Sequence, residues 1–157
     1  MNNQEDQNTQ DFPLFIEGGF IAIKQGDEDA AKKLFSAAQS LRPDNTAPMI
    51  GFGHIALNKN EIATASSYFQ KVLKLEPENA VAKVLLGFCL LFPKLGLKKR
   101  KDVKLEPQEM DQMAAGGKKL IEEGIKSTED PIVLNLGKST LELLDKVAKY
   151  QSTPMKN

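Results

Sequence analysis

The tetrapeptide Glu76-Pro77-Glu78-Asn79 repeats the pattern of Arg42-Pro43-Asp44-Asn45. In the frame that these prolines set, small residues match small residues and an aromatic residue matches an aromatic one. The matched positions are Gly19, Gly53 and Gly87; Ala22, Ala56 and Leu90; Ala31 and Ala65; Phe35 and Phe69; and Ala38 and Val72. Because so many matches at one offset are typical of internal repeats, the sequence predicts a repeat protein with a period of about 34 residues.

Each period predicts two antiparallel helices. The first period places them at 12–25 and 28–41, joined by Gly26-Asp27, where glycine suits the end of one helix and aspartate caps the start of the next. The second period places them at 47–59 and 61–75. Glycine inside a helix costs about 1 kcal/mol relative to alanine, so the glycines at 19, 53 and 87 indicate that backbones approach closely there. Phe35 and Phe69 are predicted to be the large buried side chains.

The third period begins in the same way at residues 80–91 and is then interrupted at Phe92-Pro93. A basic segment follows, with Lys94, Lys98, Lys99, Arg100, Lys101 and Lys104. The next helix is predicted from Glu106 to about Lys126, and its glycines at 116 and 117 indicate a close helix contact or a kink. The next closing proline, Pro131, lies well beyond one period from Pro77, so the sequence predicts an insertion between the two helices of the third pair. The apolar pattern of the last helix is that of a capping helix.

These residues resemble the tetratricopeptide repeat, whose unit carries small residues in its first helix and then alanine, an aromatic residue, a small residue and a closing proline. The resemblance implies an all-α fold, an α-α superhelix of about three helix pairs plus a C-terminal capping helix. The expected organisation is a disordered tail at 1–11, one domain at 12–151 and a frayed tail at 152–157. Its repeats are expected at about 12–45, 46–79 and 80–131, with the basic insertion at 93–105 and the capping helix at 131–150.

The family binds its partners on a concave surface lined by the first helix of each pair. That resemblance places nine residues in the groove, namely Ile16, Phe20, Ile23, Ile50, His54, Leu57, Val84, Phe88 and Leu91. Eight of them are apolar, which indicates an apolar helix as the ligand. The alternative is that these residues are core, or are covered by the N-terminal segment or by a second copy. Repeats that clamp acidic chaperone tails carry lysine, asparagine and arginine where this chain has Ile16, Phe20, Gly51, Val81 and Leu85, so a carboxylate clamp is not expected.

Composition excludes several classes of function. Among 157 residues, 21 are Lys or Arg and 21 are Asp or Glu, so net charge draws the chain neither to nucleic acid nor to a membrane surface. The basic segment lacks interleaved aromatic residues and is interpreted as a solvated loop. No apolar stretch is long enough to span a membrane, no secretory signal is seen, and the single Cys89 favours a reducing, cytoplasmic compartment. His54 has no metal-ligand neighbours, and no catalytic constellation is visible, so no metal, no cofactor and no enzyme activity are expected.

In size, layout and groove character the chain also resembles the cytoplasmic chaperones of bacterial type III secretion. That resemblance implies that the groove holds an apolar helix of a needle or translocator subunit and prevents its premature self-assembly. A co-chaperone subunit or a second copy of the chain is a further expected partner. The basic insertion departs from that class of chaperone. The alternative interpretation is a general assembly scaffold or regulatory subunit that uses the same groove.

Overall fold

Helices form the regular secondary structure in a computed structural model that describes residues 3–96 and 105–152. Within these two segments the chain forms seven helices and no strand. Their bounds are α1 Asn3–Gln25, α2 Glu28–Leu41, α3 Ala47–Asn58, α4 Ile62–Leu75, α5 Ala80–Leu91, α6 Pro107–Lys126 and α7 Pro131–Ser152. The predicted all-α class, with helix pairs of the tetratricopeptide type followed by a C-terminal helix, is confirmed.

Two predicted boundaries need correction. The helix α1 begins at Asn3, whereas the sequence predicted a disordered tail at 1–11 and a helix from Phe12. A polar composition is typical of disorder, but glutamine and glutamate are also good helix formers. The helix α7 extends to Ser152, slightly beyond the predicted end. Residues 97–104, which hold most of the predicted basic insertion, and residues 153–157 of the predicted frayed tail lie outside the described residues.

The contacts group the chain into two compact units, Met1–Pro77 and Glu78–Asn157. The first unit contains α1–α4 and the second contains α5–α7. The predicted domain at 12–151 therefore comprises two units, and the division follows the closing proline of the second period.

Buried phenylalanines hold the first unit together. The ring of Phe35 is fully buried and contacts Gly19 of α1 and Gly51 of α3. A Cβ atom added at Gly19 would lie 2.5 Å from Phe35 Cε1, and one added at Gly53 would lie 2.6 Å from Phe69 Cζ. Since real Cβ atoms do not approach so closely, the glycines are required by the two rings. The sequence predicted that backbones approach closely at positions 19 and 53, but the space beside each of these glycines is filled by a phenylalanine ring.

The turns inside the first two helix pairs repeat the same backbone conformation. Gly26 follows α1 with φ 76°, and Asn60, at the matching position of the next period, follows α3 with φ 60°. Left-handed φ values are strained for most residues and are tolerated best by glycine and asparagine. After Gly26, the carboxylate of Asp27 accepts a hydrogen bond of 2.9 Å from the backbone N–H of Ala30. The predicted role of Gly26-Asp27 in ending one helix and capping the next is confirmed.

In the second unit, α6 takes the place of the second helix of the third pair. Each of α2, α4 and α6 buries three residues at the same spacing. These are Ala31, Phe35 and Ala38 on α2, Ala65, Phe69 and Val72 on α4, and Gly117, Ile121 and Gly124 on α6. The insertion therefore displaces Ile121 from the position that the period set by Phe35 and Phe69 predicts. The displacement of Pro131 from its expected position is larger than that of Ile121. The reason is that Pro131 is the first residue of α7, whereas Pro43 and Pro77 lie in the turns before α3 and α5.

The helices α5 and α6 meet through paired glycines. A Cβ atom added at Gly117 would lie 2.7 Å from the carbonyl oxygen of Gly87, and one added at Gly87 would lie 2.6 Å from Ile121 Cγ1. The helix α7 then contacts Ile121 and Ile125 through Gly137, which follows Ile121 at the same spacing at which Gly51 follows Phe35. Thus α7 packs on α6 like the first helix of a further repeat.

Candidate partner-binding surface

Five of the predicted groove residues lie half-buried on α1 and α3, and we call this set the α1–α3 surface. Its members are Ile16, Phe20, Ile23, His54 and Leu57. On each helix they are spaced by three or four residues, so they share one face. The sixth predicted residue of this unit, Ile50, is 9% exposed and belongs to the core. The structure therefore places five of the six residues predicted in the first unit half-buried on these two helices, and the rings of Phe20 and His54 are in contact.

Ring contacts fix the aromatic members of the α1–α3 surface in place. The ring of Phe20 meets the buried Phe35 edge to face, with 5.2 Å between centroids, and meets His54 in the same way at 5.8 Å. On its other side the imidazole meets the buried ring of Phe69 at 6.4 Å. Because both of these half-buried rings rest on fully buried ones, the surface is preorganised, and a ligand loses little free energy in ordering it.

His54 is the polar member of the α1–α3 surface. Burial lowers its pKa below the ordinary value of 6.5, so the imidazole is neutral at neutral pH. No described residue forms a hydrogen bond with it. In the described part of the chain, no group of three or more histidine, cysteine, aspartate or glutamate side chains could hold a metal ion.

The predicted groove residues of the second unit need correction. Val84 and Leu91 are both 0% exposed. Val84 packs on Gly124 and Gly137, and Leu91 packs on Gly117, so both residues belong to the core of this unit. The reason is that α5 is covered by α6 and by α7, and an apolar face that suggested a groove is used for this packing. Only Phe88 of the three is half-buried, with its ring 5.9 Å from that of Phe92.

Apolar side chains on α7 were missed as a candidate surface. Ile132, Leu136, Leu143 and Tyr150 are exposed, by 75% and 83% at the two ends of the row. The last three recur at heptad spacing, which places them along one side of the helix. Their spacing is visible in the sequence, but the same helix also has the apolar pattern of a capping helix, which predicts packing on the preceding repeat.

Phe52 and Tyr68 form a second aromatic contact that the sequence did not single out. Their rings stack with 5.7 Å between centroids, and the ammonium of Lys71 lies 5.5 Å from the Tyr68 ring. Phe52 also meets the buried ring of Phe35 at 5.9 Å. These contacts join α2, α3 and α4 and are explained as packing.

The fold of the described residues is that of a helical-repeat protein built from paired helices. The family model of the tetratricopeptide repeat matches residues 19–45 and 49–79. These segments contain most of the two helix pairs of the first unit, so the predicted resemblance to this repeat is confirmed for them. Tetratricopeptide repeats indicate a protein–protein interaction module, and the partner is therefore a protein. No curated protein matches the chain. Among the described helices, none has the length and apolar character needed to cross a membrane.

Proposed function

We propose that the chain is a cytoplasmic chaperone that binds an apolar amphipathic helix of another protein on its α1–α3 surface. The supporting observation is Phe20, a half-buried ring that rests on the buried Phe35 in a surface with no charged member. A helix that presents apolar residues at i, i+3, i+4 and i+7 matches such a surface. Phe88 offers a comparable half-buried ring in the second unit.

The client proposed is a subunit that assembles with itself through the same helix, as needle and translocator subunits of bacterial type III secretion do. Covering that helix would keep the subunit monomeric until it is needed. The chemistry is favourable because burial of apolar area stabilises a complex by about 25 cal/mol per Å² before the cost of association.

A pull-down from the native host tests the binding surface. We expect Phe20→Glu to lose the partners that the wild-type chain retains, because a carboxylate would replace the central ring. Ile21→Glu is the matched control, since Ile21 follows Phe20 directly on α1, is exposed and lies outside the α1–α3 surface. Far-UV circular dichroism of both variants verifies the fold. Retention of the same partners by folded Phe20→Glu would refute the proposed surface, and Phe88→Glu tests the second unit in the same way.

The behaviour of the partner when it is alone distinguishes a chaperone from the alternative of an assembly scaffold. A chaperone forms a soluble 1:1 complex with a small subunit that polymerises or aggregates when it is alone. A scaffold instead retains large partners that fold without it. The exposed apolar row on α7 is the observation that favours the scaffold, because it offers a second protein partner an apolar element outside the α1–α3 surface. Light scattering of the purified chain, with and without the client, distinguishes these cases.

A further inference from the structure

The α1–α3 surface contains one side chain that can form hydrogen bonds. Ile16, Phe20, Ile23 and Leu57 present only carbon and hydrogen, whereas a neutral imidazole has one N–H donor and one nitrogen acceptor. None of the described residues uses either nitrogen of His54. A helix that covers this surface therefore either supplies a partner for the imidazole or leaves a polar group buried and unpaired, which is unfavourable.

Two aromatic rings flank the imidazole. Its plane stands at 85° to the ring of Phe20 and at 81° to the ring of Phe69, so it is held edge-on between an α1 side chain and an α4 side chain. A hydrogen-bonding group held in one orientation discriminates between ligands more strongly than a mobile one, because less freedom is lost on binding.

We infer that His54 determines specificity on the α1–α3 surface, and that it selects helices carrying one neutral polar side chain, such as asparagine or serine, within their apolar face. This inference rests on the proposed function, since it concerns the same ligand. A purely apolar helix leaves the imidazole unpaired, and a helix with a charged residue there loses hydration that this uncharged surface does not replace. The selected class is thus narrower than amphipathic helices in general.

Binding by this residue also depends on pH. A proton on the imidazole removes its acceptor and places a charge in an apolar contact, so acid weakens binding. The described charged residues on the helices that pack against α3 are Asp11, Glu17 and Lys24 on α1, Glu28, Asp29, Lys32 and Lys33 on α2, and Lys71 and Lys74 on α4. Burial is the cause of the lowered pKa of His54, and none of these charges contributes to it. A bound helix buries the imidazole further and lowers its pKa again.

Two synthetic peptides provide the test. Both are amphipathic helices of the same length with leucine along one face, and they differ only in carrying leucine or asparagine at one central position of that face. Their affinities for the wild-type chain and for His54→Leu are measured by fluorescence anisotropy at pH 8. We expect His54→Leu to weaken binding of the asparagine peptide roughly three- to tenfold, and to leave the leucine peptide unchanged or tighter.

The chain has a single histidine, so its imidazole resonance can be followed by NMR without ambiguity. We expect the pKa of His54 to fall when the asparagine peptide binds, and the affinity of this peptide to decrease as the pH is lowered toward 5. An equal effect of His54→Leu on both peptides, or a pKa that rises on binding, overturns the inference while the proposed function stands. If neither peptide binds, and Phe20→Glu retains its partners from the host, the proposed function and the inference both fail.

Discussion

Adjacent glycines in α6 provide a stringent test of the packing in the second unit. Both Gly116 and Gly117 lie inside the helix, and replacing either by alanine should stabilise the helix itself by up to about 1 kcal/mol. Their surroundings differ. A Cβ atom added at Gly116 meets nothing within 4 Å, whereas one at Gly117 would lie 2.7 Å from the carbonyl oxygen of Gly87. That oxygen belongs to the backbone of α5 and cannot move away as a flexible side chain could.

The magnitude follows from the difference between the two variants. The gain in helix propensity is common to Gly116→Ala and Gly117→Ala, so it cancels, and the clash remains. Overpacking of a dense contact costs about 1–3 kcal/mol. We therefore expect Gly116→Ala to raise the free energy of unfolding, and Gly117→Ala to lie about 1–3 kcal/mol below it.

Urea denaturation followed by circular dichroism at 222 nm measures both free energies of unfolding, and equal m-values would show that the two variants expose similar surface. Gly87→Ala, which approaches the same contact from α5, should be destabilised as well. If Gly117→Ala is as stable as Gly116→Ala, α5 and α6 do not meet through these glycines. The assignment of α6 as the second helix of the third pair would then be wrong.

Three further changes are expected to have measurable effects. Gly26→Ala should lower the free energy of unfolding by roughly 1 kcal/mol, because a φ of 76° disfavours a side chain even though the space around Gly26 is open. Asn60→Gly, at the matching turn, should not be destabilising. Urea denaturation measures both free energies of unfolding. Burial lowers the pKa of His54, so the imidazole binds a proton more readily in the unfolded chain than in the folded one. The free energy of unfolding is therefore at its full value above about pH 6.5 and falls as the pH drops from 6.5 through the lowered pKa. In denaturation curves between pH 5 and 8, His54→Leu should lack this contribution to the pH dependence. Lys83 is 7% exposed and paired with Glu78 at 2.7 Å, and Lys83→Met should change the melting temperature little or raise it, because an apolar side chain avoids burying the charge; a large decrease would contradict this.

The repeat frame was predictable from the sequence because its residue types are dictated by close contacts. The rings of Phe35 and Phe69 fill the space left by the glycines at 19 and 53. A glycine that recurs at the repeat period therefore predicts that the phenylalanine recurs as well. For the third pair the sequence also predicted the second helix and the insertion before it, but the residue types of the frame do not recur there at their period. There Ile121 replaces the expected phenylalanine and Gly117 the expected alanine, and the insertion displaced both residues. Pro131 is the next proline in the sequence that could mark the period. It begins α7, however, and is not a turn residue like Pro43, so it does not give the position of Ile121.

The candidate surface was predictable only in part, because an apolar helix face does not reveal what covers it. Ile23 and Leu57 are half-buried on the α1–α3 surface, yet Leu91, at the matching position of the third period, is fully buried. The difference depends on α6 and α7, which follow α5 only after an insertion whose path the sequence does not specify. Periodicity identifies an apolar face, but packing decides whether that face is a surface or a core.

The ring of Phe35 lies against α1 on one side and α3 on the other, through Gly19 and Gly51. These two helices belong to different periods of the sequence. If either period melted alone, the ring would be exposed to water on one side, so the two repeats are coupled as neighbours and are expected to fold and unfold cooperatively. The unit that evolution duplicated is therefore smaller than the unit that is thermodynamically stable, and a single repeat excised from this chain should remain unfolded.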